Sequence, residues 1–197
     1  MTYDYASKYL VEFNFGYNGS ERLAAGQRFE FFPAVSAGWV ASSEKFWEPI
    51  SKYINHFKIR GSYGLVGSDA FASGAPHFLY QNNIGIGSAH KFWTGLPTSE
   101  ISKQGPGFYV LAVQDAGWEH VKKFDIGFDM MLFNQLNITF DYFHDKRERI
   151  LMSRASWPSM LGYWGSKPWS NIGEVENQGF ELSLNWTKQF GKDLTLD

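Results

Sequence analysis

The chain has 197 residues, enough for one domain, and sets 18 Lys+Arg against 20 Asp+Glu, so its charge balance points to neither a nucleic-acid nor a strongly acidic partner. It has no cysteine, which excludes disulfides and thiolate metal sites, and its five histidines, at 56, 77, 90, 120 and 144, lack the close spacing of zinc ligands. The distinguishing figure is 18% aromatic residues beside 20 glycines, a mixture that suits half-buried β-structure. No apolar run approaches the about 18 residues of a transmembrane helix, and MTYDYASKYL lacks the basic start and apolar run of a signal peptide.

In chain order, KYLVEFNFGYNGS alternates Tyr9, Val11, Phe13, Phe15 and Tyr17 with Leu10, Glu12, Asn14 and Gly16, a strand with one aromatic face. A loop over 18–30 is expected next, then a strand in FPAVSAGWVA, where Val35, Ala37 and Trp39 share a face. Helical spacing of Phe46, Ile50, Ile54 and Phe57 predicts one short helix from Ser43 to His56. FKIRGSYGLVG sets Phe57, Ile59, Tyr63 and Leu65 against Lys58, Arg60, Ser62 and Gly64. The stretch from Gly67 to Glu119 is rich in Gly, Pro and Ser, with only short apolar runs such as HFLY and FYVLAV. FDIGFDMML and LNITFDYF then alternate Phe124, Ile126, Phe128, Met130 and Leu136, Ile138, Phe140, Tyr142 with Asp125, Asp129 and Asp141 among their polar positions. A long connection over 145–178 holds Trp157, Tyr163, Trp164 and Trp169; GFELSLNWT is the next strand, and DLTLD begins another.

Short connections (FNQL, KQFGKD) alternate with very long ones, at 66–121 and 145–178. That is the habit of a transmembrane β-barrel, with short inner turns and long outer loops, provided that zero or two crossings lie between Leu65 and Phe124. A basic side chain on a lipid face costs about 2–4 kcal/mol at the midplane. The polar positions Glu12, Lys58, Arg60, Asp125, Asp129 and Asp141 are therefore expected to face a wet lumen. Phe13, Phe15, Tyr17, Tyr63, Phe128 and Phe140 are expected to face lipid, with Trp39 and Trp186 at the inner interface. The fold expected is all-β: an antiparallel transmembrane barrel segment of six to eight strands.

The segments YDYASKYLVEFNFGYNGSERLAAGQRFEFFPAVSAGWVASSEKFW, INHFKIRGSYGLVG, WEHVKKFDIGFDMMLFNQLNITFDYFHDKRERIL and NIGEVENQGFELSLNWT resemble, in this order, the C-terminal barrel of the SusC/RagA family of TonB-dependent outer-membrane transporters. The stretch at 70–115 and the loop at 151–170 depart most. The resemblance implies part of a large 22-stranded barrel in the outer membrane of Bacteroidota, one that imports oligosaccharides or peptides. It implies a SusD-like surface lipoprotein as lid, the TonB complex as energy source, and contact with outer-membrane lipid and lipopolysaccharide. It also implies that the plug domain and the TonB-contacting segment lie outside this chain, which is then an internal piece of a transporter. Such a piece, alone, is expected neither to transport nor to stay monomeric in buffer, because it would expose strand edges and an apolar face.

Trp157, Tyr163, Trp164 and Trp169 are loop candidates for stacking on a sugar, against a simpler role in packing the loop on the rim. The carboxylates Glu12, Asp125, Asp129 and Asp141 read as a hydrated face and not as a glycosidase pair, so no catalytic residue, cofactor or metal is expected. HDKRER, from His144, reads as a solvated loop base in preference to phosphate contact by Lys146, Arg147 and Arg149. IGIGSAH, at 84–90, lacks the third glycine and the helix of a phosphate loop. Three alternatives remain: a small closed eight-stranded barrel, a soluble carbohydrate-binding β-domain and, last in order, a hydrolase.

Overall fold

The computed structural model describes residues 1–71, 73–86, 91–94, 101–154, 156, 158, 160, 167–190 and 194–196. Four strands come first: β1 Thr2–Tyr5, β2 Tyr9–Gly19, β3 Phe29–Val40 and β4 Ile54–Ser68. Four short ones follow, β5 Asn83–Gly85, β6 Lys91–Thr94, β7 Ile101–Gln104 and β8 Gly107–Val110. The remainder are β9 Glu119–Leu132, β10 Leu136–Ser153, β11 Trp169–Trp186, β12 Lys188–Phe190 and β13 Leu194–Leu196.

Seven of these form one antiparallel sheet in the order β1-β2-β3-β4-β9-β10-β11. β4 pairs directly with β9, so the long connection between them makes no crossing. Among the described residues β1 and β11 are the two edges and do not pair with each other, so the sheet does not close as a small barrel. β5 pairs with β8, β6 with β7 and β12 with β13.

Two of the tight turns have the same construction. In Tyr5–Lys8 and Leu132–Gln135 both central residues have positive φ (Ala6 and Ser7 at 55°; Phe133 at 53°, Asn134 at 56°), the combination of a type I′ turn that follows the twist of its strands. Each is closed by a backbone bond, Lys8 N to Tyr5 O at 3.0 Å and Gln135 N to Leu132 O at 2.9 Å. Ala6-Ser7 carries none of the Asn-Gly or Asp-Gly signals of that turn, which is why β1 escapes a reading by pattern.

The helix expected over Ser43 to His56 is not formed. Two 3₁₀ turns, Ala41–Ser43 and Lys45–Trp47, are followed by turns, and Ile54 to His56 belong to β4. An amphipathic helix is held by an apolar stripe it can bury, whereas Phe46 and Ile50 remain 60% and 42% exposed. Trp47 instead donates its indole N–H to the Ile54 carbonyl at 3.0 Å and stacks on Phe57 at 5.2 Å, tying the connection to the foot of β4. A second tie joins this connection to the β9–β10 turn, where Asn134 N donates to Asn55 Oδ1 (2.6 Å) and Phe133 N to Tyr53 O (3.0 Å).

Strands are longer at the loop end than the hydropathy pattern indicates. β10 runs to Ser153 and β11 starts at Trp169, so most of the expected outer loop over 145–178 is a paired ladder. There Asp145 to Arg149 of β10 set charge against charge, and β11 carries mainly polar residues and glycine, which leaves the backbone pairing intact and the hydropathy signal weak. At about 3.4 Å per residue, the 18-residue β10 and β11 are far longer than the about 9–11 residues that cross a membrane.

Among the described residues the buried hydrophobic ones, Ala41 apart, gather at this loop end. Leu79, Val113, Ala116 and Leu151 form one cluster, with Phe71, Ala75 and Trp169 against it; Leu23, Phe32 and Trp118 form a second. Gly67 makes the second possible, because a Cβ there would overlap the ring of Phe32. The foot of the β4–β9 connection is tethered to its neighbours. Ser20 Oγ donates to Asp69 Oδ2 at 2.7 Å, Arg22 to Asp69 O at 2.9 Å, and the Trp118 indole to Arg28 O at 3.2 Å.

Candidate functional site

Register decides which side chains meet. Glu12, Ser36, Ser62 and Asp125 lie opposite one another across β2, β3, β4 and β9, and by the two-residue period Lys58, Arg60, Asp129 and Asp141 share their face. All six polar residues singled out in the sequence thus stand on one face. The other carries Phe13, Phe15, Tyr17, Trp39, Tyr63, Phe128, Phe140 and Trp186, all eight aromatic candidates. Trp39 is the penultimate residue of β3 and Trp186 the last of β11, both at the turn end.

The centre of the polar face is Arg60. Its guanidinium lies 2.7 Å from Asp141 Oδ2, 3.3 Å from Asp129 Oδ2 and 3.6 Å from Asp125 Oδ1, one cation among three carboxylates from two further strands. Thr139 Oγ1 donates to the second oxygen of Asp129 at 3.2 Å. Gly127 permits the arrangement: it sits between Arg60 and Asp141 in register, and a Cβ there would collide with Asp141 Oδ1 and stand 2.5 Å from Phe140 O. Without a side chain at 127, Asp141 reaches across the intervening strand. Beside the cluster is a shallow hollow floored by Ser36 and Gly38 and edged by Leu10, Glu12, Lys58 and Arg60. Glu12 accepts a hydrogen bond from Asn14 Nδ2 at 2.9 Å.

A guanidinium between carboxylates neutralises them in part and fixes their orientation; it leaves an excess of negative charge on this side of the wall. The three carboxylates are held on Arg60, an arrangement suited to electrostatic lining of this face.

At the turn end, Glu44 accepts from Lys8 Nζ at 3.0 Å and from the Tyr9 hydroxyl at 2.9 Å, and these two donors, Lys8 first, hold its carboxyl below its ordinary value near 4.5. Neither contact was legible in sequence, since 35 or more residues separate the partners.

Of the four loop aromatics, Trp157, Tyr163 and Trp164 lie outside the described residues. Trp169 is the first residue of β11 and packs, partly buried, against the cluster of Leu79, Val113, Ala116 and Leu151. Asn171 clamps the adjoining backbone: its Oδ1 accepts from Gly117 N at 3.0 Å and its Nδ2 donates to Gly117 O (3.0 Å) and Arg149 O (2.7 Å). Arg149 occupies a bulge with φ 59°, and its guanidinium lies where a side chain on Gly117 would be.

An open, two-faced antiparallel wall with tight turns at one end and long connections at the other defines a β-barrel of the outer-membrane type. The chain belongs to the TonB-dependent receptor-like β-barrel family, whose profile matches residues 2–197, and is an outer-membrane protein. It is 30% identical over 196 residues to TonB-dependent receptor P3 of Formosa agariphila, covering 99% of this chain and 18% of that relative. To TonB-dependent receptor SusC of Bacteroides thetaiotaomicron it is 24% identical over 209 residues, covering 100% of this chain and 19% of the relative. The fold is similar to a solved structure of the RagAB peptide importer in the 'closed-closed' state, with a TM-score of 0.74 at 20% identity over 98% of this chain and 19% of that one. The chain therefore spans about a fifth of the length of the relatives it matches.

Proposed function

We propose that the chain is a stretch of barrel wall in a TonB-dependent importer of a bulky nutrient, an oligosaccharide or a peptide. In this reading a SusD-like lipoprotein covers the loop end and the TonB complex supplies energy through parts of the protein outside this chain. The observation that carries the reading is the separation of faces: six charged residues on one side, three of them carboxylates gathered on Arg60, and eight aromatics on the other. Charge on one face and rings on the other suit a wall between water and hydrocarbon. The wall contributes binding surface and electrostatic lining, with no chemical step assigned to it. Trp157, Tyr163 and Trp164, with Trp169 at the start of β11, are its proposed ligand contacts.

The test begins at the locus. Flanking sequence encoding a plug domain, with a neighbouring gene for a SusD-like lipoprotein, is the expected context. Deletion of the full-length gene should then abolish uptake of labelled oligosaccharides or peptides, and the complementing protein should co-purify with the lipoprotein. Unchanged uptake of every nutrient of both classes would overturn the proposal.

A further inference from the structure

Two cations of the polar face are held by carboxylates: Arg60 by Asp125, Asp129 and Asp141, and Lys123 by Asp145 at 2.8 Å. Lys58 is not so held. Register sets it directly opposite Asp129, but Arg60 Nε and Thr139 Oγ1 donate to the two oxygens of that carboxylate. Among the described residues the Lys58 ammonium therefore has neither an ion pair nor a hydrogen bond. Its stem lies across Gly38 instead, where an added Cβ would stand 3.3 Å from Lys58 Cε, and so leans away from β9 toward the hollow beside the Arg60 cluster.

That hollow has a volume of about 340 Å³, at the low end of the about 300–1,000 Å³ of ligand pockets, which is room for a single sugar or amino-acid residue. Ser36 and Ser62 stand opposite one another on its floor, and neither hydroxyl makes a hydrogen bond to a described residue. Glu12, across β3 from Lys58, accepts from Asn14 with one carboxylate oxygen and leaves the other free. Elsewhere on this face opposite charges meet; here an ammonium and a carboxylate face a common space with two idle hydroxyls between them.

We infer that this hollow binds a carboxylate-bearing group of the imported nutrient. Lys58 donates to the carboxylate, the Ser36 and Ser62 hydroxyls bond its polar neighbours, and Glu12 accepts from hydroxyl or amide N–H donors beside it. The inference deepens the importer reading and rests on it. Two sources carry this chemistry, the C-terminal residue of a peptide and an acidic sugar, and each sets a carboxylate next to hydrogen-bond donors. Arg60 does not supply the cation, because three carboxylates already hold it. Lys58 is then the residue that separates a carboxylate from its neutral counterpart, through a charged hydrogen bond that contributes about tenfold or more in affinity.

The experiment uses the full-length receptor purified in detergent and two probe mixtures, a tryptic digest of casein and a partial hydrolysate of polygalacturonate. Each is offered untreated and with its carboxylates blocked as methylamides, and retained compounds are counted by mass spectrometry. The parent should retain at least one compound about tenfold or more better with its carboxylate free than blocked, and the mixture that supplies it identifies the source. Lys58→Gln should bind free and blocked forms alike, Lys58→Arg should keep the preference, and Lys45→Gln, at the turn end, should behave as the parent does. No preference in the parent, a preference that survives Lys58→Gln, or an equal loss of both forms in that variant overturns the inference; the last result would assign Lys58 to a contact within the protein. The two levels separate in the parent: retention that ignores the carboxylates defeats the Lys58 site alone, whereas retention of nothing from either mixture, free or blocked, defeats the importer reading with it.

Discussion

Phe180, in the middle of β11, is 76% exposed, while Leu151, near the loop end of the neighbouring β10, is completely covered. The two stand on paired strands, yet they belong to regions stabilised in different ways. The wall has backbone ladders, an ion cluster and rows of rings with nothing packed on them, such as Phe128 on Phe140 at 5.6 Å and Tyr17 on Phe29 at 5.6 Å. The cap has a small core of aliphatic and indole side chains, tethered by Asn171, Ser20 and Arg22. A cap of this kind folds by burying its own apolar surface. A wall of this kind is completed by its medium, because lipid covers one face and satisfies no backbone group, which leaves strand pairing as the only means of doing so.

The contrast can be broken from either side, in the full-length protein. Leu151→Ala should have the largest effect, about 2–5 kcal/mol for a fully buried leucine. It should be confined to the cap: hydrogen exchange should accelerate at Val113 and Ala116 and stay unchanged in the paired middle of β4 and β9. Phe128→Arg should cost about 2–4 kcal/mol in bilayer stability measured by denaturant, while Ser183→Arg, on the polar face, should cost less than about 1 kcal/mol; equal costs would mean that the two faces meet the same medium. Arg60→Ala leaves Asp125, Asp129 and Asp141 facing one another and should cost about 1–3 kcal/mol, held down by their partial exposure to water. Gly127→Ala should cost about 1–2 kcal/mol by pushing Asp141 off Arg60, and its cost should shrink in an Arg60→Ala background.

The smallest effect is at the turn end. Because the folded carboxyl of Glu44 lies below its ordinary value near 4.5, its contribution is fully present above that pH and is lost as pH falls through the lowered folded value. The stability difference between the parent and Glu44→Gln should therefore be constant at neutral pH and narrow in acid. A difference that widens in acid would show that Lys8 and Tyr9 do not hold the carboxylate.

Much of the wall was legible because a strand declares its faces every second residue. The alternation through Phe13, Phe15 and Tyr17, and through Asp125 and Asp129, located β2 and β9 and divided their side chains between the same two faces that the register shows. Three parts were not legible, each for a physical reason. β1 ends in a turn whose positive-φ residues are Ala6 and Ser7 rather than glycine or asparagine. The outer half of β10 alternates charge with charge, and that of β11 mixes polar residues and glycine with single apolar ones. The expected helix had its spacing but no surface on which to bury it.

Sequence alone determined the two-faced strands and the rhythm of short and long connections, because period and turn length are local properties of a chain; the kinship with outer-membrane receptors came from the resemblance of whole segments. Only the tertiary structure decided that β4 lies directly beside β9. That adjacency brings Arg60 to carboxylates 65 to 81 positions away (Asp125 to Asp141), seats Asp141 over Gly127, and sets Lys122 opposite Lys146. Register is a relation between strands, and where 50 residues separate β4 from β9 (69–118), no local pattern contains it.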